Sequence, residues 1–176
     1  MARVYLSLGS NIRRHLHISA ALAALTREFG ELTISSVYES EAVGFAGSDF
    51  FNLVVGVETT LDIAALSSVL KKIEDANGRN RQGPRFSPRT LDIDILTYDD
   101  FVGTEAGVTL PREEITQNAF VLLPLAELAP DALHPRLGQS YSQLWQAYDK
   151  SRQQLWPVQF IWQDRLISEG RQPRSE

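Results

Sequence analysis

Cysteine is absent from the 176 residues. That gap excludes a disulfide scaffold, a thiolate zinc site and a cysteine nucleophile together, and it accords with a reducing cytoplasm, the location expected here. Histidine occurs only three times. His15, His17 and His134 have no carboxylate or histidine neighbours at metal-ligand spacing and read as surface residues. No apolar run approaches the roughly 18 residues a membrane helix needs. The opening MARVYLSLGSN enters an alternating strand at once, without the apolar stretch of a signal peptide. Positive charge is also short, since 17 basic against 22 acidic residues leave a net charge of −5. That balance argues against nucleic-acid and membrane partners. A G-x-x-x-x-G-K-[ST] loop, a kinase glycine-rich loop and a G-x-G-x-x-G fingerprint are all missing. P-loop ATPase, protein kinase and Rossmann readings fall with them.

What is present suits one domain with a proper core, at 43% hydrophobic residues. Residues 3–8 alternate as a strand, and Gly9-Ser10-Asn11 breaks it. Residues 12–29 carry Leu16, Ala20, Ala23 and the Leu22/Leu25/Phe29 group at helical spacing, with Gly30 as the stop. Extended structure resumes over 32–38. Residues 39–49 read as a loop, 50–59 as a strand, and Thr60-Leu61-Asp62 as the cap of a helix through Asn77. Residues 90–98 form the next strand. Further on, 120–128 is strongly apolar and 139–154 reads as an amphipathic helix. The order β-α-β-β-α-β predicts an α+β fold of ferredoxin-like type, a largely antiparallel sheet flanked by helices as an α/β/α sandwich. The expected organisation is one domain over 1–162 and a polar tail over 163–176, frayed from Arg165 onward.

Two features carry chemistry. In Arg89-Thr90-Leu91-Asp92-Ile93-Asp94-Ile95-Leu96 the period of two puts Asp92 and Asp94 on one face and Leu91, Ile93 and Ile95 in the core. Adjacent carboxylates repel unless something positive lies between them, and an oxygen-only pair suits Mg²⁺ shared with substrate phosphates. A solvated polar strand face is the plainer alternative. Just upstream, Arg79, Arg81, Arg85 and Arg89 fall within eleven residues that contain no acid. Even spreading of the basic residues would put about one there. Forked guanidinium groups in a Gly/Pro loop, delivered into a carboxylate pair, are what phosphoryl transfer requires. The competing view pairs these arginines with surface acids.

YLSLGSN at 5–11, S-x-x-Y-E-S near 36–40, D-F-F-N at 49–52, E-x-x-x-G-R-x-R at 74–81, P-R-T-L-D-I-D-I-L at 88–96 and F-V-L-x-P-L-x-E-L-A-P at 120–130 occur in this order. In these motifs the chain resembles the hydroxymethyldihydropterin pyrophosphokinase family of folate biosynthesis, over about residues 3–135. The resemblance implies transfer of the β,γ-pyrophosphoryl group of ATP to the 6-hydroxymethyl group of a dihydropterin, with release of AMP. It implies that Asp92 and Asp94 hold two Mg²⁺ ions and that Arg79 and Arg89 grip the phosphates, aided by Arg81 and Arg85 on a closing loop. Ile95 and Thr109 match positions that receive the adenine, and Glu74 matches a position beside the site. On the pterin side it implies Asn52 reading the ring edge, Ser40 and Val43 meeting the ring, and Phe120 stacking on it. Phe50 stands where the family commonly has Tyr. Core packing is the alternative for both phenylalanines. The small-molecule substrates would be the only partners of a monomer.

The chain departs from the family pattern at Phe86 (for Trp, keeping a stacking face), at Gln82, at Arg112-Glu113 after Pro111, and at Asn118. Arg112 is expected to replace the phosphate-facing charge lost at 118. Three rival readings are a divergent relative that binds pterin or nucleotide without turnover, an RNA-binding ferredoxin-like module, and a metal-dependent phosphohydrolase. The module lacks an aromatic RNP pattern, and the phosphohydrolase lacks further Asp or His ligands.

Overall fold

A computed structural model describes residues 1–41, 48–78 and 90–176. Its frame runs β1 (Ala2–Ser10), α1 (Arg14–Phe29), β2 (Thr33–Ile34), β3 (Val37–Ser40), β4 (Phe50–Thr59), α2 (Ile63–Ala76) and β5 (Asp92–Tyr98). This is the expected β-α-β-β-α-β order, with the second strand split in two. The main sheet runs β5-β1-β4-β3, with β2 also on β4, and every one of these pairs is antiparallel.

Strand alternation divides the molecule into layers. Leu6, Leu8, Leu53, Val55, Ile93 and Ile95 point to the face covered by α1 and α2, where they meet Ile18, Leu22, Leu25, Leu66 and Leu70. The opposite face carries Val54 and Leu96 into a second cluster with Tyr141 and with α4 (Ala119–Leu128), which follows the short α3 (Glu114–Gln117). Helices on both faces of the sheet complete the expected sandwich. Asp62 caps α2 by accepting from Ala65 N–H at 2.8 Å. Leu16 departs from the expected stripe of α1 and is 50% exposed. The buried stripe is instead Arg14, Ile18, Ala21, Leu22 and Leu25, which puts a charged residue at its head.

The C-terminal third differs most from expectation. The helix expected over 139–154 is only α5 (Tyr141–Ala147), opened by a capping box between Ser140 and Gln143. Asp149 then accepts from Ser151 N–H at 3.0 Å and Ser151 O–H at 2.6 Å, a local turn that competes with helix. β8 (Leu155–Val158) follows and pairs with β3 as the far edge of the sheet. The segment from Arg165, expected to fray, is held instead. β9 (Phe160–Trp162) pairs with β10 (Arg165–Ser168), and Ser168 is buried with its hydroxyl donating to Val158 C=O at 2.6 Å. Beyond it, Arg171 bridges to Val158 and Arg174 N–H donates to Glu39. Backbone groups that find partners in this way lose the freedom a polar composition suggests.

His134 is another correction. It is buried, at 5% exposure, because its Nδ1 accepts from the N–H groups of Arg136 at 3.2 Å and Leu137 at 3.1 Å. Burial lowers its pKa and so favours the neutral ring that can accept. Among the described residues no helix is long and apolar enough to cross a membrane.

Candidate functional site

β5 is an edge strand, and its alternation works as expected: Ile93 and Ile95 are buried in the core, while Asp92 and Asp94 stay half-buried on the opposite face. An edge strand has outward N–H groups that no neighbouring strand can satisfy. Glu74 supplies one partner. Although 7% exposed, its carboxylate reaches from α2 to accept the N–H of Ile93, the residue between the two aspartates, at 2.8 Å. Glu74 therefore fixes the backbone from which both carboxylates project. Replacing it with alanine is expected to leave a buried N–H unpaired, to cost about 1–3 kcal/mol of stability, and to lower turnover by about 10- to 100-fold. Glu74→Gln keeps an acceptor and should recover most of both, as thermal melts and steady-state rates would show.

Burial pushes the Asp94 carboxyl up to about 7. The Arg112 guanidinium pulls it back down, and Asp92, Glu114 and Glu74 push it up. Arg112 lies between acids: its Nη2 is 3.7 Å from Asp94 and 2.7 Å from Glu114, and its Nε donates to Glu114 at 2.9 Å. The backbone of Arg112 is tied to β5 by its N–H donating to Leu96 C=O at 2.9 Å. Glu114 in turn accepts from Asn118 at 3.2 Å, and Asn118 accepts from Gln153 at 2.8 Å.

Glu74, Asp92, Asp94, Ile95, Thr109, Arg112 and Glu114 line a cleft of about 890 Å³. The Ile95 side chain packs in the core, so its backbone is what it offers a ligand. Thr109 sits on β7 (Val108–Leu110), paired to β6 (Gly103–Glu105), with its hydroxyl 2.9 Å from that of Thr104. Lys71 and Arg136 also line the cleft and escaped the sequence reading, because neither stands in a charge cluster or a recognisable motif.

A second group lies across the same sheet face. Cross-strand pairs join Asp92 to Gly9, Gly9 to Asn52, and Asn52 to Tyr38. Residues paired in this way point to one face, so Asn52 and Asp92 flank a position with no side chain. A Cβ at Gly9 would lie 3.2 Å from Asn52 Oδ1 and 3.9 Å from the Phe50 ring. Asn52 Nδ2 donates to Ser40 Oγ at 2.9 Å, and Ser40 pairs with the half-buried Phe50. Phe120, on the first turn of α4, is half-buried against the second core cluster, and like Ser40, Phe50 and Asn52 it is not among the cleft walls. Val43 falls in 42–47, and Arg79, Arg81, Gln82, Arg85, Phe86 and Arg89 fall in 79–89. Both segments are outside the described residues.

As to a metal, Asp92 and Asp94 provide hard oxygen donors on one face. No cluster of three or more acidic, histidine or cysteine ligands occurs among the described residues. That donor set is too small for an all-protein cage, and it fits Mg²⁺ that takes its remaining ligands from phosphates and water.

Residues 5–130 match the model of the 7,8-dihydro-6-hydroxymethylpterin-pyrophosphokinase (HPPK) family. The chain is 36% identical over 137 residues to 2-amino-4-hydroxy-6-hydroxymethyldihydropteridine pyrophosphokinase of Aquifex aeolicus, covering 77% of this chain and 85% of that protein. It is 38% identical over 141 residues to the protein of that name from Porphyromonas gingivalis, covering 77% and 95%. Among solved structures, wild-type Plasmodium falciparum HPPK-DHPS with pteroate superposes with a TM-score of 0.74 at 17% identity, over 95% of this chain and 47% of that one. The chain thus spans about half the length of that structure, and at this identity the likeness speaks for the fold. The residues matched and the identity to these proteins show that the chain belongs to the 7,8-dihydro-6-hydroxymethylpterin-pyrophosphokinase family.

Proposed function

We propose that this pyrophosphokinase transfers the β,γ-pyrophosphoryl group of ATP to the 6-hydroxymethyl group of a dihydropterin and releases AMP. The observation that carries the reading is the pair Asp92 and Asp94 on the wall of a cleft that also holds Glu74, Thr109 and Arg112, in a chain of this family. In the reaction the substrate hydroxyl gives its proton to water, its oxygen bonds to the β-phosphorus, the bond from that phosphorus to the α–β bridging oxygen breaks, and AMP leaves.

Asp92 and Asp94 would hold two Mg²⁺ ions, which when bound supply charge neutralisation on the phosphates and a more acidic substrate hydroxyl. The chain's own residues do the positioning. Glu74 holds the strand between the carboxylates, while Thr109 and the Ile95 backbone face the nucleotide. Asn52 and Ser40, already hydrogen-bonded to each other, offer an amide and a hydroxyl to the pterin edge. Phe50 and Phe120 give it apolar faces, which a flat heterocycle requires. Val43 and Phe86 are assigned to the pterin by resemblance alone. On the same ground Arg79, Arg81, Arg85 and Arg89 are assigned to the phosphates. A cytoplasmic location and a monomeric state complete the proposal.

AMP formation that requires both Mg²⁺ and the hydroxymethyl pterin tests it directly. Binding of either substrate with no AMP released would favour a divergent binder instead. Arg112 sits on the wall of the cleft, 3.7 Å from Asp94. Arg112→Ala should weaken ATP binding about five- to tenfold, the worth of one partly exposed charge-assisted contact. Titration with ATP would measure this, and unchanged affinity would remove Arg112 from the phosphate site.

A further inference from the structure

The family match stops at residue 130, yet the last residues of the chain close a buried polar cluster on the face of the sheet opposite the cleft. Arg14 and Glu39 form an ion pair at 2.6 Å, with side chains 3% and 0% exposed. Glu39 also accepts from Trp156 Nε1 at 2.8 Å and from Arg174 N–H at 3.0 Å. Arg14 Nη2 donates to Arg174 C=O at 2.6 Å, and its Nη1 donates to Asp49 C=O at 3.1 Å. The Arg174 guanidinium lies 3.4 Å from the Asp49 carboxylate and 4.3 Å from the centre of the Trp156 ring. Glu176 accepts from the N–H groups of Arg13 and Arg14 at 2.6 and 3.0 Å, at the start of a helix with no side-chain cap of its own. The segment is seated on β8 by Arg171, which donates to Pro157 C=O and accepts from Gln159 N–H.

These contacts converge on residues 48 and 49. Asp49 is held by Arg14 through its carbonyl and by Arg174 through its side chain, while Asn11 donates to Ser48 C=O at 3.1 Å. Asp49 leads directly into Phe50, which pairs with Ser40, and Asn52 follows two residues later. We propose that residues 171–176 act as a positioning strap. Through the Arg14–Glu39 pair and Asp49 they fix the entry of β4, and so set the affinity of the group formed by Ser40, Phe50 and Asn52 for the pterin. The role assumes that Ser40, Phe50 and Asn52 meet the pterin, as proposed above.

Two full-length variants test the strap. Arg174→Ala combined with Glu176→Ala removes its side-chain contacts to Asp49, to the Trp156 ring through Arg174, and to the start of α1. Gly170→Ala keeps those side chains in the sequence but drives a Cβ into the Pro157 carbonyl, which forces the segment off β8. Both should raise KM for the pterin about tenfold while ATP KM and kcat stay within about twofold, since small displacements of substrate-positioning groups act at that scale. Hydrogen exchange of peptides spanning 37–40 and 48–51 should be faster in both. Faster exchange with unchanged pterin KM would overturn the proposal, as would a rise in both KM values or no change in any reading. If the native protein forms no pterin-dependent AMP, the functional reading fails instead, and hydrogen exchange still reports whether the strap holds residues 48 and 49.

Discussion

Asp92→Asn and Asp94→Asn should each lower pterin-dependent AMP formation by about a hundred- to a thousandfold, the usual effect of removing one preorganised electrostatic element. Asp94→Asn should also change stability. Asp94 has its carboxyl raised from an ordinary value of 3.8 to about 7, chiefly by burial. A carboxyl raised in the fold favours the protonated form there, so that contribution is whole below the ordinary value and is lost as pH rises through about 7. Without divalent cations, Asp94→Asn should therefore melt higher than the native protein at pH 8, and the gap should narrow as pH falls through 7 towards 4. Added Mg²⁺ should raise the melting temperature of the native protein and do much less for either variant. A variant that is inactive yet more thermostable at pH 8 separates lost chemistry from lost fold. An Asp94→Asn protein with near-native turnover would overturn the carboxylate assignment.

Gly9→Val should abolish most pterin binding while the protein stays folded. Glycine weakens a strand interior, and valine suits one, so the fold has little to lose from the change in propensity. The cost falls on the space between Asn52 and Asp92. Even the first added carbon would stand 3.2 Å from Asn52 Oδ1, and the two methyl groups of valine would reach over the sheet face that a ring must approach. The Asn52–Ser40 hydrogen bond would have to shift. A loss of pterin affinity of more than about tenfold, about 1.4 kcal/mol, is expected. Gly9→Ala should be milder, since Asn52 need yield only a few tenths of an ångström. Titration of the pterin beside thermal melts would measure both. Native-like binding in Gly9→Val would place the pterin elsewhere.

Much of this was legible in the residues because it is periodic. The 3.6-residue spacing of Leu66, Leu70 and Ile73 marked α2, and the two-residue spacing in Asp92-Ile93-Asp94-Ile95 marked the face of the carboxylates. The placement of Gly9 was not, because its neighbours are set by strand register, which pairs it with Asn52 and Asp92 at once. The Glu74 contact with Ile93 crosses from helix to strand and leaves no periodic trace. Arg14 did carry a signal: it stands four residues before Ile18 on the buried stripe, and a charge there asks for a partner. Glu39, the partner, sits 25 residues away in a four-residue strand. β8, β9 and β10 are three or four residues long, too short for alternation to stand out from a polar tail.

Tyr38, Asn52, Gly9 and Asp92 are successive rungs across four hydrogen-bonded strands. The reach from the Asn52 amide to the Asp92 carboxylate is thus a count of strands, two spacings of about 4.8 Å each. Main-chain pitch does not respond to side-chain substitution, so the sheet acts as a ruler whose divisions mutation cannot redraw. Under the proposed assignment of Asn52 to the pterin, a substrate whose reactive oxygen sat one bond farther from its ring would overshoot the carboxylates. On that assignment, selection for molecular length is built into the backbone, and the side chains are left to select for kind.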